Sequence, residues 1–423
     1  MLVACGIFEN SNSVGTSPDQ VTDALHSAEA VPVTLKVLVA SDWLKEKKWQ
    51  AVFEKYEKST GNKLEIQSAP INSYLDLVNT RLAMNDVQDL VFFWGQEGKI
   101  KQLQPQKNLV DLSNEEFTAR IIPSVKKYFL GSGGKLYGIP VTGLNVSGVI
   151  YNKTVFRELG LEIPKTYEQF LDACKKIKAA GITPLYEAGK AGWPLQIYTF
   201  STMAGVIIEQ PDLMQRINMR QITFDHIAEF VDALQQQQDL FTMGYLNNDL
   251  FNATLNMSQE AIATGKAAMM VQADWEMDPI LTKYPDAQIG MFPLPGEKGA
   301  SVGISDPIGL YALKNSTNVE AAREFLNFFA RKDVLTDYFN SVKSIPAWTG
   351  IDADLNPGTE DMNAYVVQEE VAPFFNALTV AEIGDYQELL QQMYGGILTP
   401  GLVAQRLQSN LDKAASTLGV GGF

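Results

Sequence analysis

The alternation of strand-like and helix-like segments in the first quarter of the chain constrains the fold most strongly. Residues 33–39 and 64–67 have the alternating apolar pattern of strands, and residues 44–59 and 72–83 have a helical apolar period. The next strand, at 89–94 (DLVFFW), is continuously apolar, which is typical of a strand buried on both faces of a sheet. This order predicts an α/β fold built on a doubly wound sheet.

Length and composition bound the remaining possibilities. A chain of 423 residues is too long for one ordinary core, so two domains are expected. Its net charge of −15 repels phosphate backbones, which argues against a nucleic-acid partner. Two cysteines are too few for a disulfide framework. Cys174 shares an apolar helix face with Phe170 and Ile177, which predicts a buried, unreactive thiol.

Residues 138–170 predict a crossing from one domain to the other. Gly-Ile-Pro at 138–140 closes one α/β unit, and the strand VSGVIY at 146–151 follows after a short spacer containing glycine. Thr166 and Gln169 form a predicted capping box that starts a helix, and Gly181 ends it.

This run resembles the extracellular solute-binding proteins of ABC importers, in the sugar-binding, maltose-binding-protein-like family. The stretches GKAAMMVQADW (265–275), FPLPG (292–296) and IPA (345–347) fit the same family pattern, in the same order. The resemblance spans roughly residues 34–420. It implies two doubly wound α/β lobes joined by a three-strand hinge, the periplasmic-binding-protein type II fold.

The same resemblance implies a division of the chain and a mechanism. Lobe one is expected to comprise residues 34–142 plus 304–350, and lobe two residues 143–303 plus 351–423. Solute would bind between the lobes when the hinge closes, and the closed protein would deliver it to the membrane permease. The expected solute is a carbohydrate of oligosaccharide size, and the protein is expected to be a monomer.

The first residues match a lipobox. In Leu2-Val3-Ala4-Cys5-Gly6, small and apolar residues precede a cysteine. We therefore expect Cys5 to be diacylated and residues 1–33 to form the lipobox and a disordered tether. The only contact with the membrane would then be a lipid anchor on its extracellular face. Little of a signal peptide precedes Cys5.

Tryptophans placed just after predicted strands are the main indication of a binding site. A sugar ring packs its C–H face on an aromatic plane, and its hydroxyls pair with carboxylate and amide groups. The alternative is that large aromatic side chains at strand ends only cover the surface of a lobe. The candidate ligand-binding residues are Trp43, Trp94, Trp193 and Trp275, with Asp42, Gln96, Glu97, Asn145, Asp274 and Asp306 as polar partners and Trp348 as a weaker candidate.

The sequence contains no motif for catalysis or for a metal or cofactor. Hydrolase, nucleotide-binding and zinc-protease signatures are missing, and Pro357 occupies the position where a calcium loop beginning at Asp352 needs glycine. We therefore expect a binding protein, not an enzyme, without cofactor or metal. Two alternatives stay open: a glycoside hydrolase using two carboxylates, and a solute sensor or adhesin on the same fold.

Overall fold

The structure is a computed structural model that describes residues 31–44, 48–86, 88–131, 133–296, 299–368 and 370–423, without the side chains of 72, 97, 124 and 300. The predicted lipidation site Cys5 and nearly all of the predicted tether lie outside the described residues. The strands are β1 Thr34–Ala40, β2 Lys63–Ala69, β3 Leu90–Trp94, β4 Gly138–Pro140, β5 Ser147–Asn152, β6 Thr183–Leu185, β7 Ala267–Ala273, β8 Ile289–Phe292, β9 Leu294–Gly296, β10 Gly299–Ser301, β11 Gly303–Ile304, β12 Ile308–Ala312 and β13 Ala372–Pro373.

The α-helices surround these strands and contain more residues than the strands do. They are α1 Lys48–Thr60, α2 Ile71–Met84, α3 Glu97–Gln102, α4 Pro105–Asn108, α5 Pro123–Lys126, α6 Lys153–Glu158, α7 Tyr167–Ala179, α8 Gln196–Glu209, α9 Leu213–Asn218, α10 Ala228–Thr242, α11 Leu255–Ala263, α12 Met277–Lys283, α13 Val319–Phe329, α14 Lys332–Val342, α15 Pro357–Val367, α16 Tyr386–Tyr394 and α17 Pro400–Thr417. No helix in the described ranges combines the length and apolarity needed to cross a membrane.

The strands form two main sheets, one in each lobe. The sheet of lobe one has the order β2-β1-β3-β12-β4, and the sheet of lobe two has the order β6-β7-β5-β8. In the first sheet β1 pairs in parallel with β2 and β3, whereas β12 is antiparallel to β3 and β4. In the second sheet only β6 and β7 are parallel. The α/β fold with two lobes is therefore as predicted, but both sheets are mixed because strands that arrive from the other lobe insert antiparallel.

Three segments connect the lobes side by side. The first runs from β4 to β5, the second from β11 to β12, and the third follows Ile345. Antiparallel bridges join Leu144 to Ile345 and Val146 to Ile304, and the Val141 amide donates to the carbonyl of Ile308 at 2.9 Å. The crossings thus form a narrow hydrogen-bonded ribbon, as a hinge requires.

Local sequence signals set several helix starts as predicted. Thr166 accepts a hydrogen bond from the Gln169 amide, and Thr399 accepts one from the Leu402 amide. The Gln169 side chain accepts from the amide of Lys165, one residue before the cap, so the predicted capping box is displaced by one residue. Gly181 ends α7 with φ of +80°, a conformation that favours glycine.

The apolar core lies on both faces of the two sheets. Trp49 of α1 packs against Phe92 of β3 and stacks on Phe329 of α13, so it belongs to the core of lobe one. Cys174 is fully buried in lobe two, and burial raises the pKa of its thiol to about 12. The predicted unreactive thiol is therefore confirmed as a core residue.

Candidate functional site

A cavity of about 400 Å³ opens between the lobes beside the hinge. Its walls come from the ends of β1 and β7, from the first crossing, and from α14 and the segment that follows it. Five of the sequence-predicted site residues line it: Asp42, Trp43, Asn145, Asp274 and Trp275. The structure therefore brings candidates more than 230 positions apart in sequence to one cleft.

In lobe one the cleft wall is a cluster of aromatic rings at the carboxyl ends of β1 and β3. The Trp43 ring meets the Trp94 ring edge-on with 4.9 Å between centroids, and it meets Tyr74 edge-on at 5.4 Å. The position of Tyr74 is fixed by its hydroxyl, which donates to the backbone carbonyls of Leu38 and Phe92. Trp43 lines the cavity itself, and Trp94 supports it from the side.

Asp42, the residue before Trp43, is held in place by a hydrogen bond to the backbone. Asp42 lies in a short 3-10 helix, Ser41–Leu44, and its Oδ2 accepts from the amide of Ile71 at 3.1 Å. This bond ties the end of β1 to the first residue of α2. Asp42 is half-buried and lines the cavity, so its carboxylate is presented at the cleft by a fixed backbone.

In lobe two Trp275 lines the same cleft, and Trp193 packs beside it. Trp275 lies half-buried just after β7, and its ring is 6.1 Å from that of Trp193. The Trp275 Nε1 is buried and has no hydrogen-bond partner of normal geometry among the described residues. The Glu276 carboxylate is close enough to interact with this N–H, although not in normal hydrogen-bond geometry, so a better-aligned acceptor on a ligand would improve the pairing of a buried donor.

Asp274 is the most unusual polar group of the cleft. Its Oδ1 accepts from the Val146 amide at 3.1 Å, and its own amide donates to the carbonyl of Val146, so it ties β7 to the first crossing. Its Oδ2 is buried without a hydrogen bond of normal geometry. Burial raises the pKa of Asp274 to about 7. Hydrogen bonding from the Val146 backbone N–H and, more weakly, from the Thr359 hydroxyl lowers this pKa but does not offset burial.

Gln96 and Asp306 form a second polar site, separate from the residues that line the cavity. The amide of Gln96 donates to Oδ2 of Asp306, and Oδ1 of Asp306 is buried without a partner among the described residues. Burial raises the pKa of Asp306 to about 7, opposed by Gln96 and by the charge of Lys99. The Tyr128 hydroxyl, also buried and unpartnered, is close enough to feel the Asp306 charge. Gln96 follows β3, and Asp306 lies between β11 and β12 in the second crossing.

Six of the eleven candidates are not among the described residues that line the cavity: Trp94, Gln96, Trp193, Asp306, Trp348 and Glu97. Trp348 is 2% exposed, its Nε1 donates to the carbonyl of Pro140 at 3.1 Å, and its ring packs against Phe117. Because both the ring and its donor are used inside lobe one, the prediction of Trp348 as a ligand contact is not supported. Glu97 begins α3, and its side chain lies outside the described part of the structure.

The cleft also contains residues that sequence reasoning missed. Lys48 and Asp278 line the cavity, and so does Gly143 of the first crossing. A Cβ on Gly143 would lie 2.6 Å from the carbonyl oxygen of Ile345, so only glycine allows the two hinge strands to approach this closely. No local pattern in the sequence pointed to Lys48, a lysine inside the predicted helix 44–59.

A second cavity of about 360 Å³ lies on lobe two and includes no residue of lobe one. It is lined by parts of α8 and α10 with β9 and β10, and Tyr365 closes one side. It therefore differs from the cleft: all of its walls belong to one lobe, so a hinge motion does not change the distance between them.

Comparison with known proteins agrees with this architecture. The model of the family "bacterial extracellular solute-binding protein" matches residues 40–335. The chain is 24% identical to the multiple sugar-binding protein of Streptococcus mutans over 70% of each chain, and 24% identical to the melibiose/raffinose/stachyose-binding protein MelE of Bacillus subtilis over 85% of this chain and 84% of that one.

Solved structures show the same fold. The binding protein MsmE of Bacillus subtilis, in an open conformation, superposes with a TM-score of 0.75 at 20% identity, covering 92% of this chain and 98% of that chain. A chitin oligosaccharide binding protein superposes with a TM-score of 0.78 at 20% identity, covering 91% and 99%. The family match extends over more than half of the chain and includes the first two crossings and every strand of both main sheets except most of β1. The chain therefore belongs to the bacterial extracellular solute-binding proteins.

Proposed function

We propose that this protein captures a carbohydrate between its lobes and delivers it to the permease of an ABC importer. The relatives named above as sugar-binding proteins support the substrate class. The proposed contacts are Asp42 and Trp43 from lobe one, Asp274 and Trp275 from lobe two, and Asn145 in the first crossing between them. Trp94 and Trp193 complete the two aromatic surfaces, and the separate polar site of Gln96 and Asp306 is proposed to supply further contacts.

The observation that carries this proposal is the chemistry of the cleft. Indole rings from both lobes line one cavity, next to a buried carboxylate oxygen of Asp274 and a buried indole N–H of Trp275 that make no hydrogen bond of normal geometry within the described residues. A sugar supplies C–H faces for the rings, a hydroxyl donor for Asp274 and an acceptor for Trp275. A volume of about 400 Å³ falls in the range of small-molecule sites.

The mechanism in this proposal is a shift between open and closed forms, with no bond made or broken. A ligand that contacts both lobes binds the closed form more tightly, and this difference in affinity moves the equilibrium. The hydrogen-bonded ribbon at the hinge carries the motion while each sheet moves as a unit. Incubation with oligosaccharides should generate no new reducing ends; their appearance would favour the hydrolase alternative.

The proposal extends to location and assembly. The LVACG sequence at 2–6 supports a lipid anchor on Cys5, so the monomeric protein would face outward from the cell membrane beside its permease. The lobe boundaries at 142/143, 303/304 and 350/351 belong to the same proposal. Partitioning of the full chain into a detergent phase, lost on Cys5→Ser, tests the anchor.

A thermal-shift screen with mono- and oligosaccharides tests the proposed ligand class. A ligand at about 100 times its Kd adds about 2.7 kcal/mol to the free energy of unfolding, which produces a clear rise in Tm. Raffinose, stachyose and chitin oligosaccharides are suitable first probes. A flat response across all carbohydrates, together with a rise for another class of solute, would contradict the carbohydrate proposal.

Sugar affinity should depend on the protonation of Asp274. A ligand hydroxyl that donates to Oδ2 favours the carboxylate, so binding lowers the pKa from about 7 and releases a proton. Affinity should therefore rise with pH and level off above pH 7, with Kd about tenfold lower at pH 8 than at pH 6. Calorimetry at both pH values measures this difference, and Asp274→Asn should remove it. A decrease in affinity with rising pH would show that Asp274 donates to the ligand instead.

A further inference from the structure

Two ion pairs join lobe one to lobe two, and one of them lies in the wall of the cleft. The Lys48 Nζ of α1 lies 3.1 Å from Oδ2 of Asp278 in α12, and the Lys99 Nζ of α3 lies 2.5 Å from Oε1 of Glu382. α1 packs on the lobe-one sheet through Trp49, whereas α12 directly follows β7 and the cleft residues of lobe two. Each pair therefore joins side chains that separate when the lobes open.

The second pair crosses the lobe boundary at a close backbone approach. Glu382 lies between Ala381 and Ile383, which are buried in the core of lobe two. A Cβ on Gly98 would lie 3.5 Å from the carbonyl oxygen of Thr379, so α3 touches this segment directly. The Lys99 ammonium also lies 5.1 Å from the centre of the Trp94 ring, a cation–π distance. Lys99 thus connects the aromatic wall of the cleft to the opposite lobe.

Asp278 is well placed to hold a cation from the other lobe. It lies in the first turn of α12, where the helix dipole favours a negative charge. Its carboxylate is therefore supported as an anion and directed at Lys48 of α1, 3.1 Å away in lobe one.

Burial makes these pairs stronger than ordinary surface ion pairs. The side chains of Lys48 and Lys99 are only 17% and 13% exposed, and Asp278 is 27% exposed, although Glu382 is 49% exposed. Partly desolvated pairs are less screened by salt than exposed ones. Removing one partner leaves the other charge partly buried without compensation in the closed form.

We propose that Lys48–Asp278 and Lys99–Glu382 are clasps that stabilise the closed form, and that these four side chains are positioning residues for solute capture. The clasps raise affinity by increasing the closed population, which lowers the conformational cost that the ligand must meet. This inference rests on the proposed function only for its role in capture, because the clasps act on the lobes with or without sugar.

The test measures the closed-to-open ratio without ligand. Spin labels at Lys58→Cys and Lys175→Cys, both exposed and in opposite lobes, report the distance between lobes in a Cys5→Ser background; native Cys174 is buried and should not be labelled. Asp278→Asn is expected to lower the closed-to-open ratio about three- to fivefold, the effect of one favourable ion pair. Glu382→Gln should give a smaller decrease in the same direction.

The exchanged pair, Lys48→Asp with Asp278→Lys, separates a clasp from a direct ligand contact. The exchange should restore the closed-to-open ratio that either single change reduces, because the two charges still attract. Lys153→Gln is the matched control, since Lys153 pairs with Asp361 inside lobe two at 36% and 37% exposure; the ratio should not change. An unchanged ratio in Asp278→Asn, or no recovery in the exchanged pair, would overturn the clasp.

The same labelled protein distinguishes this failure from failure of the proposed function. If the ratio responds as described but no carbohydrate shifts it, the clasp stands and the proposed ligand is wrong. If carbohydrate closes the lobes but the closed-to-open ratio without ligand is the same in the charge variants as in the parent protein, the clasp is wrong and the proposed ligand stands.

Discussion

Replacing Trp275 by alanine is expected to raise the Kd for carbohydrate about 30-fold, or about 2 kcal/mol, the cost typical of a central aromatic contact. The substitution removes the ring that lines the cavity beside Trp193 and the only donor that Trp275 offers. Titration calorimetry with the best ligand from the thermal-shift screen measures the loss. Because Trp275 is half-buried, the variant should still fold, and circular dichroism checks this.

A matched control uses an aromatic residue outside the cleft. Tyr365 is also partly exposed but lines the second cavity, which has no wall from lobe one. Tyr365→Ala should therefore bind carbohydrate like the parent protein. Near-parental affinity in Trp275→Ala would remove this residue from the site, and equal losses in both variants would point to an indirect effect on folding.

Trp348→Ala should instead act on stability, with a loss of about 4 kcal/mol in the free energy of unfolding. The side chain is 2% exposed, so its removal leaves a large cavity. It also takes the indole donor from the carbonyl of Pro140, at the start of the first crossing. Urea unfolding of the two proteins under identical conditions measures the difference through the midpoint.

The conservative variant separates packing from hydrogen bonding. Trp348→Phe keeps much of the contact with Phe117 and loses only the donor, so the expected cost falls to about 1–2 kcal/mol. If Trp348→Ala weakened carbohydrate binding while stability stayed within about 0.5 kcal/mol of the parent, the earlier expectation that Trp348 contacts ligand would be restored.

The fold was accessible from sequence where local signals and periodicity agree. The strands around 34–40 and 90–94 and the helix starts at Thr166 and Thr399 follow from patterns within a few residues. The direction in which each strand runs within its sheet was harder to predict from sequence. Whether β12 lies antiparallel between β3 and β4 depends on where the chain returns from the other lobe, and no local pattern encodes that path.

The candidate site divides in the same way. Placing Trp43 and Trp275 after strands predicted their general location, because the ends of strands meet at one edge of a sheet. Trp348 follows a similar sequence pattern, yet the structure buries it, because its indole finds a carbonyl partner inside lobe one. Only three-dimensional packing distinguishes a ring at a cleft from a ring in a core.

By itself the sequence determined the alternating architecture, the family resemblance and the amino-acid types at the strand ends, since these depend on residue order over short distances. The tertiary structure decided which groups share a cavity, which polar atoms remain without partners and which charges meet across the lobes. Lys48 and Asp278 are 230 positions apart in the chain, and their attraction exists only when the two lobes approach within a few ångströms.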